Sequence, residues 1–309
     1  MRAARLLALT IAAQLTAAVA ATAAPPHAGD FDRSFGQKGR VKLSLPGERF
    51  VPSALVVQPD RKIVVAGTLV GDPASYPGSF AGRPAAIRFE PNGALDTGFG
   101  EAGLARMDAP QPTAIQGLAV QPDGALLLSG LTLPEDGVWI GAVVRLLPSG
   151  EVDDGFGSGG FARLPASSLA GYPPGVESVT QLAVQPDGRI VAAGSQDPYD
   201  VHSTADPYVA RLMPDGRLDQ SFGKDGRASF GPENPIAALA RPSGDVVVVG
   251  SNSYHLGGSA LSLLRVDPAG NDFPLPGHPT DAWVEHRYEA ELVGVAASAR
   301  PDGTIDFVG

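Results

Sequence analysis

The 309-residue chain contains no cysteine and only five histidines. The lack of thiols excludes disulfides, thiolate metal sites and cysteine nucleophiles. Charged residues make up 18% of the chain, and lysine and arginine form no cluster that would bind nucleic acid or an anionic membrane surface. There is also no GxSxG nucleophile motif and no repeated histidine set. We therefore predict no cofactor, and the sequence gives no catalytic residue.

Glycine and proline, by contrast, are abundant, with 39 and 29 residues. This composition favours many short strands joined by tight turns over long helices. With 43% hydrophobic residues the chain can bury a sizeable core, so disorder is not expected.

The N-terminus has the features of a secretory signal peptide. Arg2 and Arg5 precede an apolar stretch, small-x-small triplets follow, and Pro25 and Pro26 end the segment. We predict a signal peptide over residues 1–23, cleaved near 20–23, and a periplasmic or secreted mature protein with no membrane span. The alternative is an uncleaved anchor, but the apolar run is shorter than the roughly 20 residues a span needs.

Three short motifs recur in a fixed order from about residue 30 to residue 309. One copy of each reads "VQPDGRIVAAGS" at 184–195, "YVARLMPDG" at 208–216 and "LDQSFGKDG" at 218–226. The glycines that close the five copies of the first motif lie 63, 64, 56 and 59 residues apart. This period is typical of one four-stranded β-propeller blade. We predict an all-β propeller domain over 30–309, with at least four units and an incomplete closing blade.

Each unit predicts four strands. Pro-Asp-Gly turns separate short apolar runs, the first two of which form a hairpin. Strands that are apolar on both faces suit a sheet packed between neighbouring sheets. The stretch 289–300 has helical propensity, but the repeat predicts a strand there. We also expect the recurring phenylalanines to pack between blades and the recurring arginines to pair with recurring aspartates (Phe35, Phe99, Phe156 and Phe222; Arg88, Arg145, Arg211 and Arg265; Asp96, Asp153 and Asp219).

The combination of "QPDGRIVAAG", "ARLMPDG" and "LDQSFGKDG" at this period resembles the delta-60 repeat family of predicted bacterial β-propellers. The resemblance covers nearly all of 30–309. It implies a propeller fold and no established common activity, so it identifies no catalytic residue. The fourth unit departs from the pattern because it lacks the LDxxFG motif.

The closing blade is incomplete in sequence. Residues 31–45 match a fourth strand, and the chain ends after a second strand at Gly309, so a third strand is missing. An open strand edge invites pairing with another strand. Either the sequence is a fragment of a longer protein, or a partner strand or dimer mate fills the gap.

Two groups of residues are candidates for ligand binding. The first occupies one equivalent position in each hairpin and could surround a channel mouth: Gln58, Gln121, Gln185, Arg241 and Arg300. The second lies in a non-repeated insertion at 195–208: Tyr199, Asp200 and His202. Weak metal candidates are Asp281, Glu285 and His286, although alternation along a strand would turn His286 away from Glu285. Their spacing matches no known metal motif, so we predict no metal site.

The function predicted from these features is an exported, non-catalytic scaffold that binds a protein or a small molecule. The alternative is a propeller enzyme, either a hydrolase or lactonase or a quinoprotein, with its site at the channel mouth.

Overall fold

The structure is a computed structural model. It describes residues 31–70, 82–109, 113–135, 137–164, 176–197, 206–229, 234–253, 259–271, 283–288, 296–299 and 305–308. The predicted signal peptide, Tyr199, Asp200, His202, Asp281 and Arg300 lie outside these residues. Within the described ranges, no helix is long and apolar enough to cross a membrane.

Four antiparallel four-stranded sheets follow one another along the chain. The first contains β1 (Arg49–Val57), β2 (Ile63–Val70), β3 (Arg83–Phe89) and β4 (Leu104–Arg106). The second contains β5 (Thr113–Val120), β6 (Leu126–Thr132), β7 (Ile140–Leu146) and β8 (Phe161–Arg163). The third contains β9 (Val176–Val184), β10 (Ile190–Asp197), β11 (Asp206–Leu212) and β12 (Arg227–Ser229). The fourth contains β13 (Asn234–Ala240), β14 (Val246–Ser253), β15 (Ser259–Val266) and β16 (Trp283–Tyr288).

A fifth sheet has two described strands, β17 (Ala296–Ala299) and β18 (Ile305–Val308). The stretch 289–300 thus contains a strand, as the repeat predicted. The first strands of successive sheets contact one another, from β1 to β5, β9, β13 and β17. These first strands are therefore the innermost strands, and the sheets are arranged as propeller blades. The all-β, four-stranded antiparallel architecture is confirmed, and the described residues contain no helix.

Buried phenylalanines pack between the blades, as predicted. Phe99, Phe156 and Phe222 are at most 1% exposed. Phe99 packs with Val64 of the first blade and Leu126 of the second in one apolar cluster. Phe156 and Phe222 take part in the clusters between the later blades. The hydrophobic core is thus a series of layers between neighbouring sheets.

The two ends of the blades differ in their connections. At one end, five-residue hairpins join the first and second strands, and the LDxxFG turns precede the fourth. The tight turn at Gly188 needs the positive φ of +83° that glycine provides. At the other end, connections of unequal length join the second strand to the third and each blade to the next: 71–82, 107–112, 133–139, 164–175, 198–205, 230–233, 254–258 and 289–295. We call these two ends the tight-turn face and the loop face.

Candidate functional site

The recurring arginines and aspartates form buried ion pairs at the tight-turn face. Arg211 Nε lies 2.8 Å from Asp219 Oδ2, and both side chains are about 95% buried. The Arg211 guanidinium stacks on Phe222 and donates a hydrogen bond to the Pro268 carbonyl of the next blade. The first and second blades repeat this arrangement with Arg88–Asp96 and Arg145–Asp153. These charges connect neighbouring blades, so they belong to the scaffold, as predicted.

The fourth blade obtains its carboxylate from another position. It lacks the LDxxFG aspartate, yet Arg265 Nε still lies 2.7 Å from a carboxylate oxygen, that of Asp245. Asp245 follows the hairpin turn at the position that Lys62 and Arg189 hold in other blades. Lys62 and Arg189 themselves contact Asp96 and Asp219. Each described third-strand arginine therefore has a carboxylate partner, even where the motif is lost.

The predicted ring of glutamines is not open to a ligand. Gln58, Gln121 and Gln185 are at least 93% buried at the tight-turn face. Gln185 Nε2 donates to the Gly244 carbonyl in the hairpin of the next blade. Arg241, at the equivalent position, is half-buried and lies 3.5 Å from Asp245. Packing of adjacent hairpins encloses these side chains, and their predicted place around a channel mouth stays a prediction.

The remaining predicted residues are only partly described. Tyr199, Asp200, His202 and Asp281 lie outside the described residues, whereas Glu285 and His286 belong to β16. Within β16, Glu285 pairs with Ser262 and His286 with Leu261 in the backbone register. Among the described residues, no group of three His, Asp or Glu side chains could hold a metal ion.

A β-bulge recurs in the innermost strand of each of the first four blades. At each bulge, the first strand of the blade has one more residue than the second strand with which it pairs. The extra residues are Ser53, Gln116, Thr180 and Ile236. Ser53 and Gln116 are exposed and Thr180 is half-buried. Thr180 Oγ1 donates to the Pro235 carbonyl of the next innermost strand. We call Ser53, Gln116 and Thr180 the bulge ring.

The bulge ring was missed in the sequence because its residues share no type. The sequence signal for the bulge was the glycine that closes each copy of the first motif. In the structure, this glycine lies opposite the bulge. A Cβ on Gly194 would come within 1.8 Å of the Ser178 carbonyl oxygen, and one on Gly130 within 1.8 Å of that of Ala114. Glycine inside a strand often marks a bulge. The repeated glycine therefore allows the close approach that the bulge requires.

A second non-repeated group was also missed. Glu177 is fully buried, and its carboxylate accepts hydrogen bonds of 3.0–3.2 Å from the Arg227 guanidinium. Arg227 stacks on Tyr208, whose hydroxyl donates to the Ser178 carbonyl. Burial raises the pKa of Tyr208, so this phenol stays protonated. The group is enclosed between the second and third blades, and we assign it a structural role.

Carboxylates are also present on the loop face. Glu135 is exposed in the connection from β6 to β7. Asp108 is exposed after β4, where its carboxylate lies 3.4 Å from Arg83 Nε. The loop face therefore combines acidic side chains with connections of variable length.

Comparison with known proteins supports a β-propeller family. The model of the family described as "Domain of unknown function (DUF5122) beta-propeller" matches residues 78–99, 121–156 and 185–222. These segments include copies of all three motifs. No curated protein matches the chain. The match does not carry the delta-60 name, which stays a prediction.

Solved structures that the chain resembles include three whose titles name enzymes. One is an endo-1,4-β-xylanase from Bacteroides thetaiotaomicron VPI-5482, with 11% identity, a TM-score of 0.36, and coverage of 84% of this chain and 76% of the other. A thermostable family-43 glycoside hydrolase has 11% identity, a TM-score of 0.41, and coverage of 84% and 81%. A GH43_1 enzyme from Xanthomonas citri, complexed with xylotriose, has 13% identity, a TM-score of 0.38, and coverage of 85% and 91%.

These enzyme titles contradict the prediction of a non-catalytic scaffold. At such low identity and TM-score, however, the likeness carries no argument about the substrate or reaction of this chain. The family match and the observed sheets together give the conclusion that the chain is an all-β protein of the β-propeller class.

Proposed function

We propose that the protein is a propeller hydrolase that acts on a neutral, hydroxyl-rich substrate such as a glycoside. The substrate binds where the central channel opens on the loop face. The observation that carries the proposal is the bulge ring, since β-bulges re-aim side chains and are frequent next to active sites. The predicted signal peptide supports an exported enzyme.

The chemistry of the bulge ring favours a neutral ligand. Ser53 and Thr180 offer hydroxyls and Gln116 an amide, which can all donate and accept hydrogen bonds without adding charge. Variable loops on a rigid scaffold are the usual location of binding and catalytic groups. The tight-turn face is less suitable, because the scaffold ion pairs already use its charged side chains.

Glycoside hydrolysis commonly needs two carboxyl groups, one as acid and one as base or nucleophile. We assign these roles to Glu135, on the loop face, and to Asp200, which falls between β10 and β11 in the sequence as Glu135 falls between β6 and β7. The bulge ring would hold the substrate hydroxyls, and Gln116, which is exposed, would make the first contact.

The test is a hydrolysis assay of the purified full chain against a panel of 4-nitrophenyl glycosides. The wild-type protein should release 4-nitrophenol from at least one glycoside. Glu135→Gln and Asp200→Asn should each lower kcat by at least about 100-fold, the lower end of what a positioned acid or base contributes. Asp215→Asn is the matched control, because Asp215 is an exposed carboxylate on the tight-turn face paired with Arg217.

The control should retain the wild-type rate. Absence of release from every glycoside would refute the proposal, and so would equal rates for wild type, Glu135→Gln and Asp200→Asn. Circular dichroism melts of each variant separate lost chemistry from lost fold.

A further inference from the structure

The tight-turn face carries the one Asn-Gly sequence of the chain, Asn92 followed by Gly93, between β3 and β4. An asparagine before glycine can react with the chain's own backbone, because the glycine has no Cβ to hinder attack by its amide nitrogen. The reaction starts when base removes the proton from that amide. Asn92 is exposed, whereas Gly93 is buried. Whether the sequence reacts therefore depends on how the fold holds the Gly93 amide.

A tight β-turn holds this amide in a hydrogen bond. The Gly93 amide donates to the Glu90 carbonyl at 2.8 Å, and the Glu90 amide donates to the Ala94 carbonyl at 2.8 Å. Pro91 supplies the fixed φ that the second position of such a turn requires, and Gly93 has a φ of +84°. While the turn is closed, the proton of the Gly93 amide lies between its nitrogen and the Glu90 oxygen and is not accessible to base.

The Asn92 side chain is held by the same turn. Its Oδ1 accepts a hydrogen bond of 3.0 Å from the Ala94 amide. A carboxamide that is bound to the second residue ahead is not placed for attack by the amide of the first. Asp215 occupies the equivalent position in the third blade, and its Oδ1 accepts a hydrogen bond of 3.1 Å from the Arg217 amide. An aspartate therefore fits this turn position as well as an asparagine does.

Residues 35–41 cover the turn from the other side. A Cβ on Gly93 would lie 2.9 Å from Val41 Cγ2 and 3.1 Å from the Phe35 ring. The Gly36 amide donates to the Asn92 carbonyl at 2.7 Å, which ties residues 31–39 to the first blade. Burial of Gly93 and the hydrogen bonds of the turn thus separate the two groups that would react.

We propose that Asn92 and Gly93 form a latent self-modification site, which reacts only when this turn opens. Base removes the proton from the Gly93 nitrogen, and the nitrogen attacks Asn92 Cγ. The Cγ–Nδ2 bond breaks, ammonia leaves, and a cyclic imide remains. Water then opens the imide at one of its two carbonyl carbons. Cleavage of the bond from the nitrogen to Cγ gives aspartate, and cleavage of the bond to the main-chain carbonyl carbon gives isoaspartate.

The two products should differ in their effect on the fold. Aspartate keeps the normal backbone and fits the turn as Asp215 does. Isoaspartate adds a methylene to the backbone inside the turn that the Gly93 amide and the Glu90 carbonyl close. It also displaces the carbonyl to which the Gly36 amide donates. The isoaspartate form should therefore lose the contact between residues 31–39 and the first blade.

The test incubates the purified full chain at one alkaline pH, both in native buffer and in urea that unfolds it. Mass spectrometry of the proteolytic peptide that contains Asn92 gives the rate of deamidation. We expect the native rate to be at least about 10-fold below the rate in urea, because the turn must open before the reaction starts. Pro91→Ala should raise the native rate, relative to its own rate in urea, about 2- to 5-fold, since proline preorganises the turn.

Pro148→Ala is the matched control. Pro148 is exposed at the same position of the turn in the second blade, where the Gly150 amide donates to the Leu147 carbonyl at 2.8 Å. This substitution loosens a turn that contains no asparagine, so the rate at Asn92 should stay at the wild-type value. A rate at Asn92 that rises equally in Pro91→Ala and Pro148→Ala would overturn the proposal, because global stability would then control the reaction.

The products supply a second measurement. Asn92→Asp should melt within about 2 °C of wild type, because an exposed substitution that keeps the turn changes stability little. After incubation in urea and refolding, size-exclusion chromatography separates folded from misfolded chains, and enzymatic methylation counts the isoaspartate in each. Isoaspartate should be enriched in the misfolded fraction. An equal content in both fractions would contradict the predicted damage to the turn.

Two further results would refute the site itself. Equal rates of deamidation in native buffer and in urea would show that the turn gives no protection. A chain that keeps Asn92 intact in urea would show that the Asn-Gly sequence does not react. These measurements involve no glycoside, so they succeed or fail independently of the hydrolase assay.

Discussion

Asp219→Asn should destabilise the protein by about 3 kcal/mol, because it leaves Arg211 buried without its carboxylate. Both side chains are about 95% buried, and removal of one partner from a buried pair costs roughly 3–5 kcal/mol. We expect the lower end of this range, since Arg211 keeps the Pro268 carbonyl and the Phe222 ring. Arg189 Nε, 3.2 Å from Asp219 Oδ2, also loses this carboxylate.

Urea unfolding followed by circular dichroism measures this loss. With a slope of about 2–3 kcal/mol per molar urea, the midpoint should fall by about 1 M. Asp215→Asn is the matched control, because the Asp215–Arg217 pair is exposed and should contribute less than about 0.5 kcal/mol. Equal midpoints for Asp219→Asn and Asp215→Asn would refute the assignment of the buried pairs to the scaffold.

Three further predictions concern the backbone and pH. Ala102 has a φ of +52°, at the position that Gly159 holds in the second blade. Ala102→Gly should therefore stabilise the protein by about 1 kcal/mol in urea unfolding. A urea midpoint below that of the wild type would contradict this. Gly194→Ala should prevent folding or lower the melting temperature by more than about 10 °C, because the alanine Cβ would lie 1.8 Å from the Ser178 carbonyl oxygen. A melting temperature equal to that of the wild type would disprove the bulge geometry. Burial alone would raise the pKa of Asp96, but hydrogen bonds from Lys62 and Arg88 outweigh it and lower the pKa from 3.8 to about 2. The unfolded chain therefore binds more protons over this range, so about 2 kcal/mol of stability should be lost between pH 4 and 2, and Asp96→Asn should flatten that dependence.

The repeat predicted the fold because the residues that form strands, turns and contacts between blades recur from unit to unit. The positive φ of Gly188, the buried Phe156 and the Arg145–Asp153 pair all follow from residues that every blade needs. The fourth blade shows where this reasoning fails. Asp245, in the connection between β13 and β14, replaces the missing aspartate as the partner of Arg265. This contact becomes visible only in the three-dimensional structure.

The candidate site was harder to predict because its residues are not repeated. Gln58 and Gln185 recur at one position and were therefore assigned to a ligand ring, but the hairpins of adjacent blades bury them. Ser53 and Gln116 differ in type, so only the pairing register shows that the same bulge carries both. The buried Glu177 had no sequence signal, since its partner Arg227 is 50 residues away.

The measurement that tests the central claim most directly is the kcat/KM of Gln116→Trp on the glycoside that the wild-type protein hydrolyses best. Gln116 is exposed on an innermost strand, so an indole there should obstruct the proposed substrate site at the bulge ring without disturbing the core. We predict that kcat/KM falls at least about 100-fold while the melting temperature stays within about 3 °C of wild type. An unchanged kcat/KM would contradict a substrate site at the bulge ring.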